Sequence, residues 1–98
     1  MGAKVKTIFA SANGDEINHN CGALHPQKLA QCVKKLGADV GFAFDGDADR
    51  IVAVDQTGKT IDGDQILLFL LNMYKKFGLL KSKAIVGTIQ TNMAVELY

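Results

Sequence analysis

Three aspartates and one arginine lie in a single short segment, Asp45-Gly46-Asp47-Ala48-Asp49-Arg50, between two apolar runs. If the backbone of this acidic loop (residues 45–50) is extended, side chains two positions apart point the same way and the carboxylates converge. Grouped carboxylates repel one another unless a cation compensates them. Oxygen ligands favour Mg²⁺ first, then Mn²⁺ or Ca²⁺. The loop therefore predicts a divalent-cation site formed by Asp45, Asp47 and Asp49.

Arg50 indicates that a phosphate binds at the same place. A guanidinium is a poor neighbour for a bare cation, but its planar fork can bind a metal-bound phosphate through two hydrogen bonds. The competing interpretation is an acidic turn without a ligand, because Asp and Gly are turn formers. An EF-hand fits less well, since Arg50 and Gln56 stand where that loop needs Gly and Glu. A phosphatase-type Asp-x-Asp-x-Thr site would need a hydroxyl where Asp49 stands.

The composition is that of a small globular domain, or of pieces of two. The chain has 98 residues, 48% of them hydrophobic, and a net charge of +1, which gives no reason to expect nucleic acid or an anionic membrane as partner. Its longest apolar run, residues 66–71, is too short to span a bilayer, and there is no signal-peptide pattern, so we expect the cytoplasm. Cys21 and Cys32 lack a metal-type spacing and are expected to be reduced, structural thiols.

The first half of the chain predicts a strand, a helix and a hairpin. Residues 5–10 read as a strand, followed by a loop to about Leu24. Pro26 suits the first turn of a helix that ends at Gly37. The apolar stripe of this helix consists of Leu29, Cys32, Val33 and Leu36. Strands at residues 40–44 and 51–55 then flank the acidic loop as a hairpin.

The second half predicts a turn, a helix and a further strand. The turn is at residues 56–59, and Asp62 can cap a helix from Gly63 to Phe77 that Gly78 ends. Residues 84–89 read as a strand, and Thr91 or Asn92 could cap a last helix. Alternating strands and helices predict an α/β fold, layered α/β/α with a mixed sheet. The acidic loop would lie at the carboxyl end of a strand, where such folds usually bind ligands.

Beyond these patterns, the sequence is similar to a known family. Residues 37–50 resemble the metal-binding loop of the α-D-phosphohexomutases. Several other motifs are most similar to the phosphoglucosamine mutase family within that superfamily: Ile17-Asn18, Cys21-Gly22-Ala23, His25-Pro26 and residues 62–67. Val86-Gly87-Thr88 and Asn92 extend the resemblance, although Gln90-Thr91-Asn92 stands where the family usually has Met-Ser-Asn.

The resemblance implies a fragment that spans parts of two phosphohexomutase domains. Residues 1–58 would be the C-terminal half of domain II with the metal-binding loop, and residues 59–98 the N-terminal part of domain III. The family implies an isomerase that interconverts glucosamine 6-phosphate and glucosamine 1-phosphate through a phosphoserine and a bisphosphate intermediate. It also implies that Asp45, Asp47 and Asp49 hold Mg²⁺ and that Arg50 lies beside the phosphate of the phosphoserine.

The family's nucleophile motif is not in this sequence. Ser11 and Ser82 are the only serines, and neither belongs to the Ser-His motif of the family, so we expect no mutase activity from this chain alone. The expected partner is a hexosamine phosphate in the full enzyme. Two alternatives remain open. One is a phosphomannomutase/phosphoglucomutase, because the loop that reads the sugar lies outside these residues; the other is a free-standing metal-binding module that self-associates through unpaired strand edges.

Overall fold

The computed structural model describes residues 2–11, 14–82, 84–88, 90–92 and 95. It divides into two compact units, Met1–Ile61 and Asp62–Tyr98. The elements follow in the order: 3₁₀ helix Gly14–Glu16, α1 Gln27–Leu36, β1 Val40–Phe44, β2 Ile51–Asp55, β3 Thr60–Ile61 and α2 Gly63–Lys76. The predicted α/β class is therefore confirmed. Within the described residues, no helix is both long enough and apolar enough to cross a membrane.

The sheet is antiparallel throughout the described part of the chain. Its strand order is β1-β2-β3, and β1 and β2 pair from Phe44 opposite Ile51 to Val40 opposite Asp55. The predicted hairpin is confirmed, but the expected mixed sheet is wrong for these residues. Short connections join each strand to the next, and such connections can link only antiparallel neighbours. The outer edge of β1 has no strand partner among the described residues, so self-association through it stays a prediction.

Helix α1 forms where the sequence predicts it. It follows Pro26 and ends at Gly37, whose φ of 61° is left-handed and whose N–H donates to the Lys34 carbonyl. Val33 is buried, and the predicted polar face is exposed at Lys28, Gln31, Lys34 and Lys35. Leu36, the last member of the predicted stripe, is 53% exposed. Leu36 is therefore the least covered member of the stripe, since Leu29 and Cys32 are half-buried and Val33 is buried.

Gly41 sets how closely α1 approaches β1. A Cβ atom at this position would lie 2.6 Å from Val33 Cγ2 and 2.9 Å from Leu29 Cδ1, which is closer than real contacts allow. The neighbouring core is made of small residues, Ala43, Ala53 and the fully buried Val54. The lack of a side chain at Gly41 thus allows α1 to pack directly on the strand that leads into the acidic loop.

Helix α2 has a signal at each end. Asp62 accepts a hydrogen bond from the Gln65 N–H at 2.9 Å while the Gln65 side chain accepts from the Asp62 N–H, a capping box. At the other end Gly78 has a φ of 65°, and the Leu79 N–H donates to the Tyr74 carbonyl at 2.8 Å. This pattern satisfies carbonyls of the last turn, as the predicted stop at Gly78 requires.

Two predicted strands do not form over the described part of their residues. Residues 5–10 and residues 84–88 form no ladder, and Ile89 lies outside the described residues. Apolar and β-branched residues show only that a segment suits a strand, whereas a strand exists only when a neighbour supplies its hydrogen bonds. The predicted last helix begins among residues that are mostly outside the described part of the chain, of which only Val95 is described.

Replacing Gly41 by Ala tests the close packing of α1. We expect Gly41→Ala to lower the free energy of unfolding by about 1–3 kcal/mol, because the added methyl overlaps Val33 and Leu29. Gly14→Ala is the matched control, since a Cβ at Gly14 would meet no atom within 4 Å. Chemical denaturation followed by circular dichroism measures both. An equal effect of the two substitutions would contradict this packing.

Candidate metal centre

The acidic loop connects β1 to β2 and is a turn, not an extended segment. The Ala48 N–H donates to the Asp45 carbonyl at 3.0 Å, and Ala48 has a φ of 58° in the left-handed region. An extended backbone, the condition under which the sequence placed the three carboxylates together, is therefore not what the loop adopts. A non-glycine residue with this φ is uncommon and indicates that the surrounding contacts hold the turn in place.

The turn nevertheless brings the three carboxylates together. One oxygen each from Asp45, Asp47 and Asp49 can be chosen so that all lie within 4.8 Å of one another. Asp45, directly after β1, is buried with 7% of its surface exposed, whereas Asp47 and Asp49 are exposed. The three side chains therefore provide one buried and two exposed carboxylates whose oxygens lie close together. This set fits a hard divalent cation, because such ions prefer oxygen ligands and need negative charge to balance their own.

Arg50 compensates the buried carboxylate of Asp45. Its backbone N–H donates to Asp45 Oδ1 at 3.1 Å, and its Nε donates to Asp45 Oδ2 at 2.8 Å. The same Nε lies 3.5 Å from Asp49 Oδ1. The Arg50 side chain is 58% exposed, while that of Asp45 is only 3% exposed. Arg50 therefore binds inward to the acidic loop and still presents much of its guanidinium to solvent.

These contacts shift the pKa values of Asp45 and Asp49 in opposite directions. Burial tends to raise the pKa of Asp45, but hydrogen bonds from the Arg50 N–H and the Asp49 side chain and the charge of Arg50 outweigh it, so the pKa is lowered. The pKa of Asp49 is raised, first by its hydrogen bond with Asp45 and then by the charges of Asp45 and Asp47. Asp49 is thus the carboxyl that takes up a proton more readily than usual. A cation among the three side chains would relieve the same repulsion that this proton relieves.

A second segment, residues 17–22, packs against the acidic loop. A Cβ atom at Gly46 would lie 2.9 Å from Ile17 Cδ1, and one at Gly22 would lie 3.0 Å from the Phe44 carbonyl oxygen. The local sequence pattern of these residues did not predict a role at the site. The signal that could have found the turn is its two asparagines, Asn18 and Asn20, because asparagine favours the left-handed conformation that both adopt.

Other groups that resemble ligands are engaged elsewhere or lie apart. Among the described residues, the three aspartates are the only group of His, Cys, Asp or Glu side chains placed to hold a metal ion. Asp62 caps α2, and Asp64 accepts a hydrogen bond from the Asn92 N–H at 3.0 Å. Cys21 and Cys32 are free and half-buried, in keeping with the prediction of reduced thiols.

A family profile matches more than half of the chain. The profile of the phosphoglucomutase/phosphomannomutase family, alpha/beta/alpha domain II, matches residues 1–58. The match includes α1, β1, the acidic loop and β2. All the residues proposed for the cation site therefore lie in the matched part.

Individual relatives match over the whole length of the chain. The chain is 49% identical over 98 residues to a phosphoglucosamine mutase of Campylobacter curvus and 51% identical over 98 residues to one of Campylobacter concisus. It is 45% identical over 97 residues to a phosphoglucosamine mutase of Syntrophus aciditrophicus. In each case the chain spans 22% of the length of the relative.

The role of Arg50 at Asp45 is testable by titration of the metal-free chain. In Arg50→Gln we expect the pKa of Asp45 to rise, because its burial remains while the guanidinium is removed. A lowered folded pKa contributes stability above the unfolded pKa that is lost as pH falls through the folded pKa. The stability difference between parent and Arg50→Gln should therefore shrink as the solution is acidified.

Carboxyl-carbon NMR measures the individual titrations. Asp55 is the internal control, because its pKa is lowered by the Thr57 side chain and the Lys59 N–H and not by Arg50. The titration of Asp55 should be the same in both proteins. An unchanged pKa of Asp45 in Arg50→Gln would contradict the assignment of Arg50 as its compensating charge.

Proposed function

Because the chain belongs to the phosphoglucomutase/phosphomannomutase family, we propose that it is the metal-binding segment of a phosphoglucosamine mutase. The whole protein would interconvert glucosamine 6-phosphate and glucosamine 1-phosphate through a phosphoserine and a bisphosphate intermediate. The observation that carries this proposal is the convergence of Asp45, Asp47 and Asp49 within 4.8 Å beside Arg50. The family covers mutases of several sugars, and the choice of hexosamine phosphate rests on the names of the relatives.

In this proposal the three aspartates hold Mg²⁺. Bound there, the ion supplies positive charge that positions a phosphate and offsets the charge developing on it during phosphoryl transfer. Asp45 contributes a ligand whose orientation is set by two hydrogen bonds from Arg50. Asp47 and Asp49 contribute exposed carboxylates that an incoming cation can reach.

Arg50 has a second task in the proposed reaction. Its Nε is occupied by Asp45, but the guanidinium carries two further nitrogens and the side chain is 58% exposed. These nitrogens can bind two oxygens of a phosphate next to the ion. The contact with Asp45 holds the guanidinium in place, so that little side-chain entropy would be lost on phosphate binding.

The remaining parts of the proposed enzyme lie outside this segment. The phosphoserine would come from another domain, so this chain alone would bind the cation without turning over the sugar phosphate. We assign residues 1–58 to the C-terminal half of domain II and residues 59–98 to the N-terminal part of domain III. A cytoplasmic location agrees with a charged sugar phosphate as substrate.

Thermal unfolding with and without divalent cation tests the proposed site. A ligand that binds only the folded chain stabilises it by about 2.7 kcal/mol at a hundredfold excess over Kd. We expect Mg²⁺ or Mn²⁺ to raise the Tm of the parent and to have little effect on Asp47→Asn. Asp39→Asn is the matched control, because it removes one exposed carboxylate outside the acidic loop and should keep the full shift. An equal increase in Tm in Asp47→Asn and in the parent would contradict the proposed cation site.

A segment exchange tests the proposed activity. The corresponding residues of the Campylobacter curvus phosphoglucosamine mutase are replaced by this chain, which matches that protein over 98 residues. We expect the hybrid to interconvert the two glucosamine phosphates with Mg²⁺ present. Arg50→Gln in the hybrid should lower kcat/KM about 100-fold, the usual scale for losing one charge-stabilising donor.

Folding of the hybrid is checked by its Tm. A well-folded hybrid without activity, or one unaffected by Arg50→Gln, would contradict the proposal. Lys35→Gln serves as a control for Arg50→Gln, because Lys35 is an exposed cation on α1 outside the site. Its hybrid should keep the activity of the parent hybrid.

A further inference from the structure

We propose that Asn18 is a positioning residue that holds the acidic loop in the conformation in which its carboxylates converge. This inference deepens the proposed function, because it names a residue on which cation binding by Asp45, Asp47 and Asp49 would depend. Asn18 lies in a turn between the 3₁₀ helix and α1, far along the chain from the loop that it contacts.

The side-chain amide of Asn18 lies between two glycines. Its Nδ2 is 3.0 Å from where a Cβ of Gly46 would be, and its Oδ1 is 3.1 Å from where a Cβ of Gly22 would be. Neither glycine could carry a side chain without displacing this amide or its neighbours. One glycine belongs to the acidic loop and the other to the segment of residues 17–22. The amide therefore lies where the two segments meet.

These contacts lie on both sides of Asp45, the buried carboxylate of the proposed site. Gly46 follows Asp45 directly and precedes Asp47. A Cβ at Gly22 would lie 3.0 Å from the Phe44 carbonyl oxygen and 3.7 Å from Asp45 Cα. The segment thus contacts the chain just before, at and just after Asp45. A shift of this backbone would move Asp45 relative to the two exposed carboxylates.

The backbone of Asn18 is itself constrained. Its φ of 59° lies in the left-handed region, which asparagine tolerates better than most residues. Asn20, two residues later, has a φ of 50°, and both asparagines are exposed. The three atoms nearest to a Cβ at Gly46 belong to Ile17 and Asn18, and none belongs to Asn20. Asn20 is therefore a matched control of the same residue type and conformation in the same turn.

The first experiment compares Asn18→Gly with Asn20→Gly in the metal-free chain. Glycine keeps the left-handed backbone accessible, so each substitution removes the amide without imposing backbone strain. Amide hydrogen exchange is followed by NMR at Ala48 and Arg50, whose N–H groups both donate to Asp45. We expect faster exchange of these two amides in Asn18→Gly and no change in Asn20→Gly. Equal rates in the parent and Asn18→Gly would overturn the proposal.

The second measurement is the Kd for Mn²⁺, obtained from the electron paramagnetic resonance signal of the free ion. Loss of a residue that orients metal ligands typically weakens metal binding by 10–100-fold, so we expect Kd to rise about tenfold or more in Asn18→Gly. Asn20→Gly should bind as the parent does. A residue needed only for general stability would lower Tm and leave Kd unchanged, which would overturn the positioning role.

The outcomes separate this inference from the proposed function. If the parent does not bind Mn²⁺, the proposed cation site fails, while the exchange rates still decide whether Asn18 holds the loop. If the parent binds and Asn18→Gly binds equally well, only the role of Asn18 fails. Both results can be read at a temperature well below the Tm of each variant.

A substitution on the other side of the contact gives an independent check. Gly46→Ala places a methyl against Ile17 and Asn18 and should itself speed exchange at Ala48 and weaken Mn²⁺ binding. In the double variant with Asn18→Gly, the methyl has more room. The change in exchange rate and in Mn²⁺ affinity should therefore be smaller than the sum of the changes in the two single variants. Additive effects would mean that Asn18 and Gly46 act separately and would overturn the contact.

Discussion

The burial of one carboxylate where β1 ends is the constraint on which the rest of the site depends. Asp45 is almost inaccessible to solvent, and a buried charge is costly unless hydrogen bonds and an opposite charge compensate it. Arg50 supplies both from the position just before β2, through its backbone N–H and its guanidinium. The interaction that balances the charge of Asp45 therefore also spans the connection between the two strands of the hairpin, and with it the turn that carries the other two aspartates.

Close contacts at glycines extend this constraint to the surrounding structure. Gly41 lets α1 lie directly on β1, and Gly46 and Gly22 let the segment of residues 17–22 lie against the acidic loop. The loop thus lies against the segment of residues 17–22, and the strand that leads into it lies against α1, while Asp47 and Asp49 remain exposed. Such an arrangement suits a site that is formed before the cation binds, because side chains that are already in place lose little conformational freedom on binding.

Local sequence patterns were sufficient to predict the elements that are fixed by interactions within a few residues of the chain. The Asp62 and Gln65 box, Gly78 and Gly37 mark helix ends because their own hydrogen bonds or left-handed backbone act within one turn. The β1-β2 hairpin was predictable because two apolar runs are separated by only a short polar loop. Residues 5–10 and 84–88 failed as strands for the opposite reason, since their own composition says nothing about whether a neighbour pairs with them.

At the site, the sequence by itself determined which groups are present: three carboxylates and one guanidinium within six residues, a donor set that suits a hard cation and a phosphate. Tertiary structure alone decided how they are used. It buried Asp45 and left Asp47 and Asp49 exposed, paired Arg50 with Asp45, and brought the carboxylates together through a turn with a left-handed Ala48 instead of through an extended backbone. The Arg50–Asp45 pair forms within the loop, but the loop itself lies against distant residues, such as Ile17 and Asn18 at Gly46. Burial and pairing of charge are properties of such contacts and not of any residue type.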